Sequence, residues 1–223
     1  MSPDHPGAGP HDHRHDHPAG TPAHHHAPGE GHVLPPELPD SVDIYDTTLR
    51  DGSQQEGLSL TVDDKLRVAE QLDHLGVQYI EGGWPGANPK DAEFFARAVA
   101  GDLRLTRATL VAFGSTRKAG GRAETDPVLA NLTSAGTDVV CLVAKSAEWH
   151  VTETLRTSLT EAVDMVADSV AWLRSRGKRV FLDAEHFFDG YAANAGFSLD
   201  VLRAAEDAGA ETLVLCDTNG GSL

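Results

Sequence analysis

Asp46-Thr47-Thr48-Leu49-Arg50-Asp51-Gly52-Ser53-Gln54 follows the short β-branched run Val42-Asp43-Ile44-Tyr45 and precedes a segment with helical periodicity. The stretch therefore sits where a strand hands over to a helix, and α/β folds build their sites on the loops at strand C-terminal ends. Two acids, a basic residue, two threonine hydroxyls and an amide crowd around Gly52, a residue that lets the backbone turn tightly. For an arbitrary Arg-Asp pair, a salt bridge holding a loop would be the better reading.

Outward from this stretch, strand and helix patterns alternate. Strands are expected near 42–46, 77–81, 108–113, 138–144, 179–184 and 212–216. Helices are expected near 61–75, 89–100, from 126, 158–176 (the longest) and from 198. Thr61 is a candidate N-cap with Asp63 and Asp64 in the first turn. Leu66, Ala69, Leu72 and Leu75 supply that helix's apolar face, and Gly76 its stop. Most strands are continuous apolar runs, as parallel strands covered on both faces require. Six strands in strict alternation with five helices define an α/β fold. An open six-stranded parallel sheet is one arrangement, but the first βα turn lacks the GxGxxG of a dinucleotide fold.

The chain has 223 residues, 40% of them apolar, enough for one core. Its net charge of −16 argues against nucleic-acid binding, which usually needs a basic face. Nothing in it approaches a membrane-spanning length or a hydrophobic signal segment, so the cytoplasm is the expected location. Cys141 and Cys216 lie in apolar runs and read as buried thiols rather than a disulfide framework. Residues 1–40 are rich in His, Pro, Gly and Asp and read as a disordered tail. His11, His13, His15 and His17 alternate with other residues and His24, His25 and His26 run together. Such imidazole clusters bind transition metals, either as a delivery arm or incidentally.

Leu49-Arg50-Asp51-Gly52-x-Gln54, then ten residues, then Lys65, resembles the first signature of the metal-dependent TIM-barrel family that joins acetyl-CoA to 2-oxo acids. That family also includes the HMG-CoA lyases, the 2-isopropylmalate synthases and the homocitrate synthases. The wording Gly82-Gly83-Trp84-Pro85-Gly86-Ala87-Asn88-Pro89-Lys90-Asp91 is most similar to its citramalate synthase branch. The resemblance implies a (β/α)8 barrel over 41–223, of which about six strands are present, so a fragment is expected. It implies acetyl-CoA and pyruvate as substrates, a product feeding isoleucine synthesis, and a homodimer. It also implies Asp51 as a ligand of Mg²⁺ or Mn²⁺, with Zn²⁺ a further option, and Arg50 as the group that holds a developing oxyanion. A carboxylate is a hard ligand suited to such ions, and a guanidinium beside it suits a growing negative charge.

Other strand ends supply the remaining candidates. Asp183 and Glu185 alternate onto one side of their strand, and two acids there are costly to bury unless paired or facing a cation. By resemblance Glu185 is the family's active-site carboxylate, with His186 beside it, and Thr218 binds the oxo acid's carboxylate. Asp217 and Asn219 are weaker candidates for the same task. Gln54 and Trp84 are expected to contact substrate. Arg117 and Lys118 could meet CoA phosphates, and His150 could wall the pocket. The family's His-x-His pair, two further metal ligands, has no counterpart after the last strand, so the chain as it stands is expected to be inactive alone. The rival enzymatic reading is a 2-isopropylmalate or homocitrate synthase. The non-enzymatic one is an inactive barrel carrying a His-rich metal-binding tail.

Overall fold

The computed structural model describes residues 40–222. The expectations for the His-rich tail lie outside these residues. Six strands form one parallel sheet, β1 (Tyr45–Asp46), β2 (Tyr79–Gly83), β3 (Thr109–Ser115), β4 (Val139–Lys145), β5 (Arg179–Glu185) and β6 (Thr212–Leu215). Each strand pairs with the next in sequence. That order removes the open-sheet alternative, whose strand order reverses at a switch point, and it is the order of a (β/α)8 barrel.

The helices are α1 (Val62–Leu75), α2 (Pro89–Ala100), α3 (Pro127–Ser134), α4 (Leu159–Ser175) and α5 (Phe187–Asp207). Thr61 caps α1 as expected, and Asp64 completes a capping box by accepting from the Thr61 amide at 3.0 Å. The strands alternate between two cores. Val140, Leu142, Val180 and Leu182 point outward and pack with Leu66, Phe94, Leu129, Val170 and Val201 of the helices. Val111, Phe113, Val139, Cys141 and Phe181 point inward with Tyr45, Tyr79, Trp84 and Val143. Truncating an outer anchor such as Leu142, fully buried, would cost about 2–5 kcal/mol.

Several boundaries differ from those expected. β1 is only Tyr45–Asp46, because Val42 and Ile44 stay exposed. β2, β3, β4 and β5 run one or two residues further than expected, into the site-forming end, and β6 stops at Leu215. A helix begins at Phe187, well before Ser198, and bends at Asn194, where φ is −148° and ψ 81°. The bend leaves neither arm of α5 as long as α4. The early start comes from His186, whose left-handed φ of 57° turns the chain directly off β5. A π-helical turn, His150–Leu155, follows β4 and was not expected. Cys141 is buried and Cys216 half-buried, and both thiols are free. No helix among the described residues is long and apolar enough to cross a membrane.

Candidate functional site

The βα loops open onto a cavity of about 940 Å³ at the C-terminal ends of the strands. Arg50, Asp51, Gln54, Trp84, Lys145 and Glu185 are in its lining. Five of the seven expected site residues are thus brought together, from positions up to 135 apart in sequence (185 − 50). His186 and Thr218 do not line this cavity. They join each other instead, the His186 amide donating to the Thr218 hydroxyl at 2.8 Å.

Arg50 is held from three sides. Its Nε donates to Glu81 at 2.5 Å, its Nη1 to Asp51 at 3.1 Å, and its guanidinium lies 3.9 Å from the centre of the Phe113 ring. Nη2 makes no hydrogen bond among the described residues, so both of its N–H donors are left for another oxygen. Burial works against the charge on Arg50, but Glu81 outweighs it and holds the guanidinium above its ordinary range. Glu81 is fully buried on β2 and also accepts from the Tyr45 hydroxyl at 2.6 Å. Burial pushes its carboxyl up while Arg50 and Tyr45 pull it back. Glu81 was not among the expected site residues, and it is what aims Arg50.

The loop after β2 is fixed by Asp91. Its carboxylate accepts from the buried Lys65 ammonium at 2.5 Å and from the Trp84 amide at 3.0 Å. A Cβ on Gly83, at φ 139°, would lie 2.7 Å from that carboxylate, so the position is closed to other residues. The Lys65 of the motif therefore ties α1 to the loop after β2 at the cavity's edge. Trp84 stands edge-on to Phe113 at 5.8 Å and forms an aromatic wall.

On the far side of the cavity Glu185 is ion-paired with Lys145 at the end of β4. The two strands pair in register there, Lys145 opposite Glu185. The salt-bridge role weighed for the β5 acids is thus real for Glu185, and Lys145 is a second residue that sequence reasoning passed over. Asp183 points inward and accepts from the Cys141 thiol at 3.2 Å. Burial raises Asp183 above the ordinary carboxylate range. The expectation that Arg117 meets a phosphate is corrected: it is 4% exposed and bound to Glu161 and Asp168 of α4. Its charge is spent beneath the loop.

Among the described residues two places could take a cation. Asp51 presents an exposed carboxylate in the cavity lining, touched only by Arg50 among the described residues. That is a hard oxygen donor with room for water, and it fits Mg²⁺ or Mn²⁺ as one ligand of several. Glu81, Cys141 and Asp183 also bring ligand atoms within 4.8 Å of one another. They fit less well, because Glu81 is occupied by Arg50 and Tyr45, and burial keeps the Cys141 thiol protonated.

The sequence model of the HMGL-like family matches residues 41–222. The chain is 56% identical over 187 residues to an (R)-citramalate synthase of Streptomyces coelicolor, covering 84% of this chain and 35% of that protein. It is 54% identical over 180 residues to the (R)-citramalate synthase of Synechocystis sp., with 81% and 32% covered. The chain thus spans about a third of the length of these relatives. Among solved structures, the hydroxymethylglutaryl-CoA lyase of Pseudomonas aeruginosa superposes with a TM-score of 0.63 at 23% identity, covering 83% of this chain and 60% of that one. That likeness establishes the barrel fold, of which six strands are seen here.

Proposed function

Because this chain belongs to the HMGL-like family, we propose that the full-length protein condenses acetyl-CoA with pyruvate to give (R)-citramalate and CoA. Residues 41–223 would supply the first part of its catalytic barrel, and the product would feed isoleucine synthesis in the cytoplasm. The observation that carries the reading is the strand-end cavity, where Arg50 keeps a free donor beside Asp51 with Glu185 in the same lining.

In this reaction the acetyl methyl gives up a proton to a base supplied from outside residues 41–223, and its carbon attacks the carbonyl carbon of pyruvate. The carbonyl oxygen becomes an alkoxide and takes a proton, and water then cleaves the thioester with CoA leaving as the thiol. Arg50 meets the growing negative charge through Nη2, and Glu81 prevents it from reorienting. Asp51 would hold the divalent cation, Mg²⁺ or Mn²⁺ with Zn²⁺ a further option, which when bound polarises the oxo acid's carbonyl. Trp84 and Gln54 bound the substrate space. Thr218 lies off the cavity's lining, where its oxygen accepts the His186 amide; its own hydrogen would remain to donate to the carboxylate of pyruvate where the substrate reaches past Glu185. By the same family membership the protein would act as a homodimer.

The test is thiol release by the full-length protein with acetyl-CoA and a panel of 2-oxo acids, before and after chelation. Pyruvate should be preferred, chelation should abolish turnover, and Mg²⁺ or Mn²⁺ should restore it. Asp51→Asn should weaken that restoration. Preference for a bulkier oxo acid would replace the reading with a 2-isopropylmalate or homocitrate synthase, and no thiol release with any oxo acid would leave the barrel without this activity.

A further inference from the structure

Beside the cavity, His150 and His186 stack with ring centroids 4.0 Å apart and planes 27° from parallel. The two Nδ1 atoms are buried and have no hydrogen-bond partner among the described residues, with the Asp189 carboxylate 3.9 Å from that of His186. Several neighbouring groups are hydrogen-bonded. Ser146 donates from both its amide and its hydroxyl to the Glu185 carbonyl, and the Ser198 hydroxyl donates to the Ser146 carbonyl. The Phe187 amide donates to the Cys216 carbonyl, and Asn194 donates to Glu148.

The backbone is unusual at the same place. Among the described residues only two non-glycines have positive φ, and both belong to this locus. One is His186 itself. The other, Arg156 at φ 55°, closes the π-helical turn that begins at His150. Strained residues and π-turns persist where the surrounding structure has a use for them.

We propose that His150 and His186 are a positioning pair for the site: their stacked rings clamp the turn after β4 onto the start of α5, and an acidic medium opens the clamp. The inference rests on the reading of the cavity as the active site. The pair spans three strand ends. His150 follows Lys145, His186 follows Glu185, and the His186 amide holds Thr218. Loss of the stack would therefore loosen Glu185 and Thr218 together.

The groups facing His150 are His186, Lys145, Glu185 and Asp189. Burial lowers the affinity of His150 for a proton, and His186 and Lys145 add to that effect. Glu185 and Asp189 oppose it without reversing it. The sign follows from linkage: the unfolded imidazole binds a proton more readily than the folded one, so the clamp's contribution is whole above the ordinary histidine value of about 6.5. It is lost as the pH falls through the lower folded value.

Two measurements on the full-length protein test this. By NMR, His150 should titrate below the ordinary histidine range and move up when His186 is replaced in His186→Phe. This readout needs no turnover, so it separates the pair from the reaction assigned to the cavity. In pyruvate-dependent thiol release, His150→Ala should raise KM for pyruvate about tenfold at pH 8, roughly 1.4 kcal/mol. His150→Phe should restore most of that loss, because it can stack, and its acid limb should shift down relative to the parent. An ordinary titration of His150, an unchanged KM in His150→Ala, or the same acid limb in His150→Phe would overturn the proposal.

Discussion

Two aspartates at the two ends of the same sheet are treated in opposite ways. At the end where helices return to strands, Asp73 is 2% exposed and saturated. It accepts from the amides of Thr106, Arg107 and Ala108 and from the Thr106 hydroxyl, at 2.7–3.1 Å. At the opposite end Asp51 is 65% exposed with one partner. Arg50 keeps an unused donor there, and two buried imidazole nitrogens have no hydrogen-bond partner among the described residues. A saturated polar group has no capacity left for a ligand, so it serves the fold. Leftover capacity at the opposite end is what binding can use.

The largest expected effect tests the unsaturated end. Arg50→Ala removes the free donor and strands Glu81 as a buried carboxylate. Turnover of the full-length protein should fall about 10³-fold, near 4 kcal/mol, and stability by roughly 3 kcal/mol. Arg50→Lys should recover part of the stability but little of the rate, since an ammonium cannot reach Glu81 and keep a second directed donor in one plane. Equal recovery of both would mean that only the charge matters.

At the saturated end the effects should separate the other way. Asp73→Ala leaves three amides without an acceptor and should cost about 3 kcal/mol in urea unfolding, with kcat and KM unchanged. The pH dependence follows from the same bonds. Burial alone would raise the Asp73 carboxyl, but the amides of Ala108, Thr106 and Arg107 outweigh it and hold it well below the usual range. A depressed carboxylate stabilises above its unfolded value, about 3.9, and loses that contribution as pH falls through the folded value. The stability gap between parent and Asp73→Asn should therefore be full at pH 7 and shrink below about pH 4. A gap that stayed constant in acid would show that the ionised form is not what the amides recognise.

Much of this contrast was legible in the sequence, because the motif and the strand ends are local. Arg50, Asp51, Gln54, Trp84 and Glu185 lie on segments that follow or end strands, so strand–helix alternation put those segments at one mouth, and the family resemblance singled out the residues themselves. Glu81 was not legible as Arg50's partner. It sits in an otherwise apolar strand 31 residues away, and no short-range spacing reports that pairing. Lys145 was missed for the same reason, since its acid is 40 residues distant. Arg117 misled because a basic loop residue looks free until α4 arrives with Glu161 and Asp168 on one face. The start of α5 at Phe187 depends on His186 taking a left-handed conformation, which composition does not advertise for a residue other than glycine.

A smaller effect probes how tightly the unsaturated end is held. Gly190 lies in the first turns of α5, and a Cβ there would sit 2.4 Å from the Ser146 carbonyl oxygen. Because that neighbour is backbone, it cannot swing aside. Gly190→Ala should push α5 away from the turn after β4 at a cost of about 1–3 kcal/mol. It should also raise KM for pyruvate, since Glu185 and His186 are anchored to both sides of the contact. A stability loss with KM unchanged would show that the mouth tolerates more movement than its bonding suggests.

The smallest effect asks whether nearness to the mouth is enough to matter. Thr61 caps α1 at the same end as the cavity, yet it is saturated: its hydroxyl accepts from the Asp64 amide at 3.1 Å and its amide donates back to Asp64. Thr61→Ala should fray the first turn and cost about 1 kcal/mol. Lys65 lies one turn further along and remains fixed by Asp91 and by the Phe94 ring, 5.0 Å from its ammonium. The loop that carries Trp84 should therefore hold its place, and KM for pyruvate should not change. If KM rose by more than the lost stability accounts for, location would outweigh saturation, and the division between the two kinds of carboxylate would have to be drawn by distance from the cavity instead.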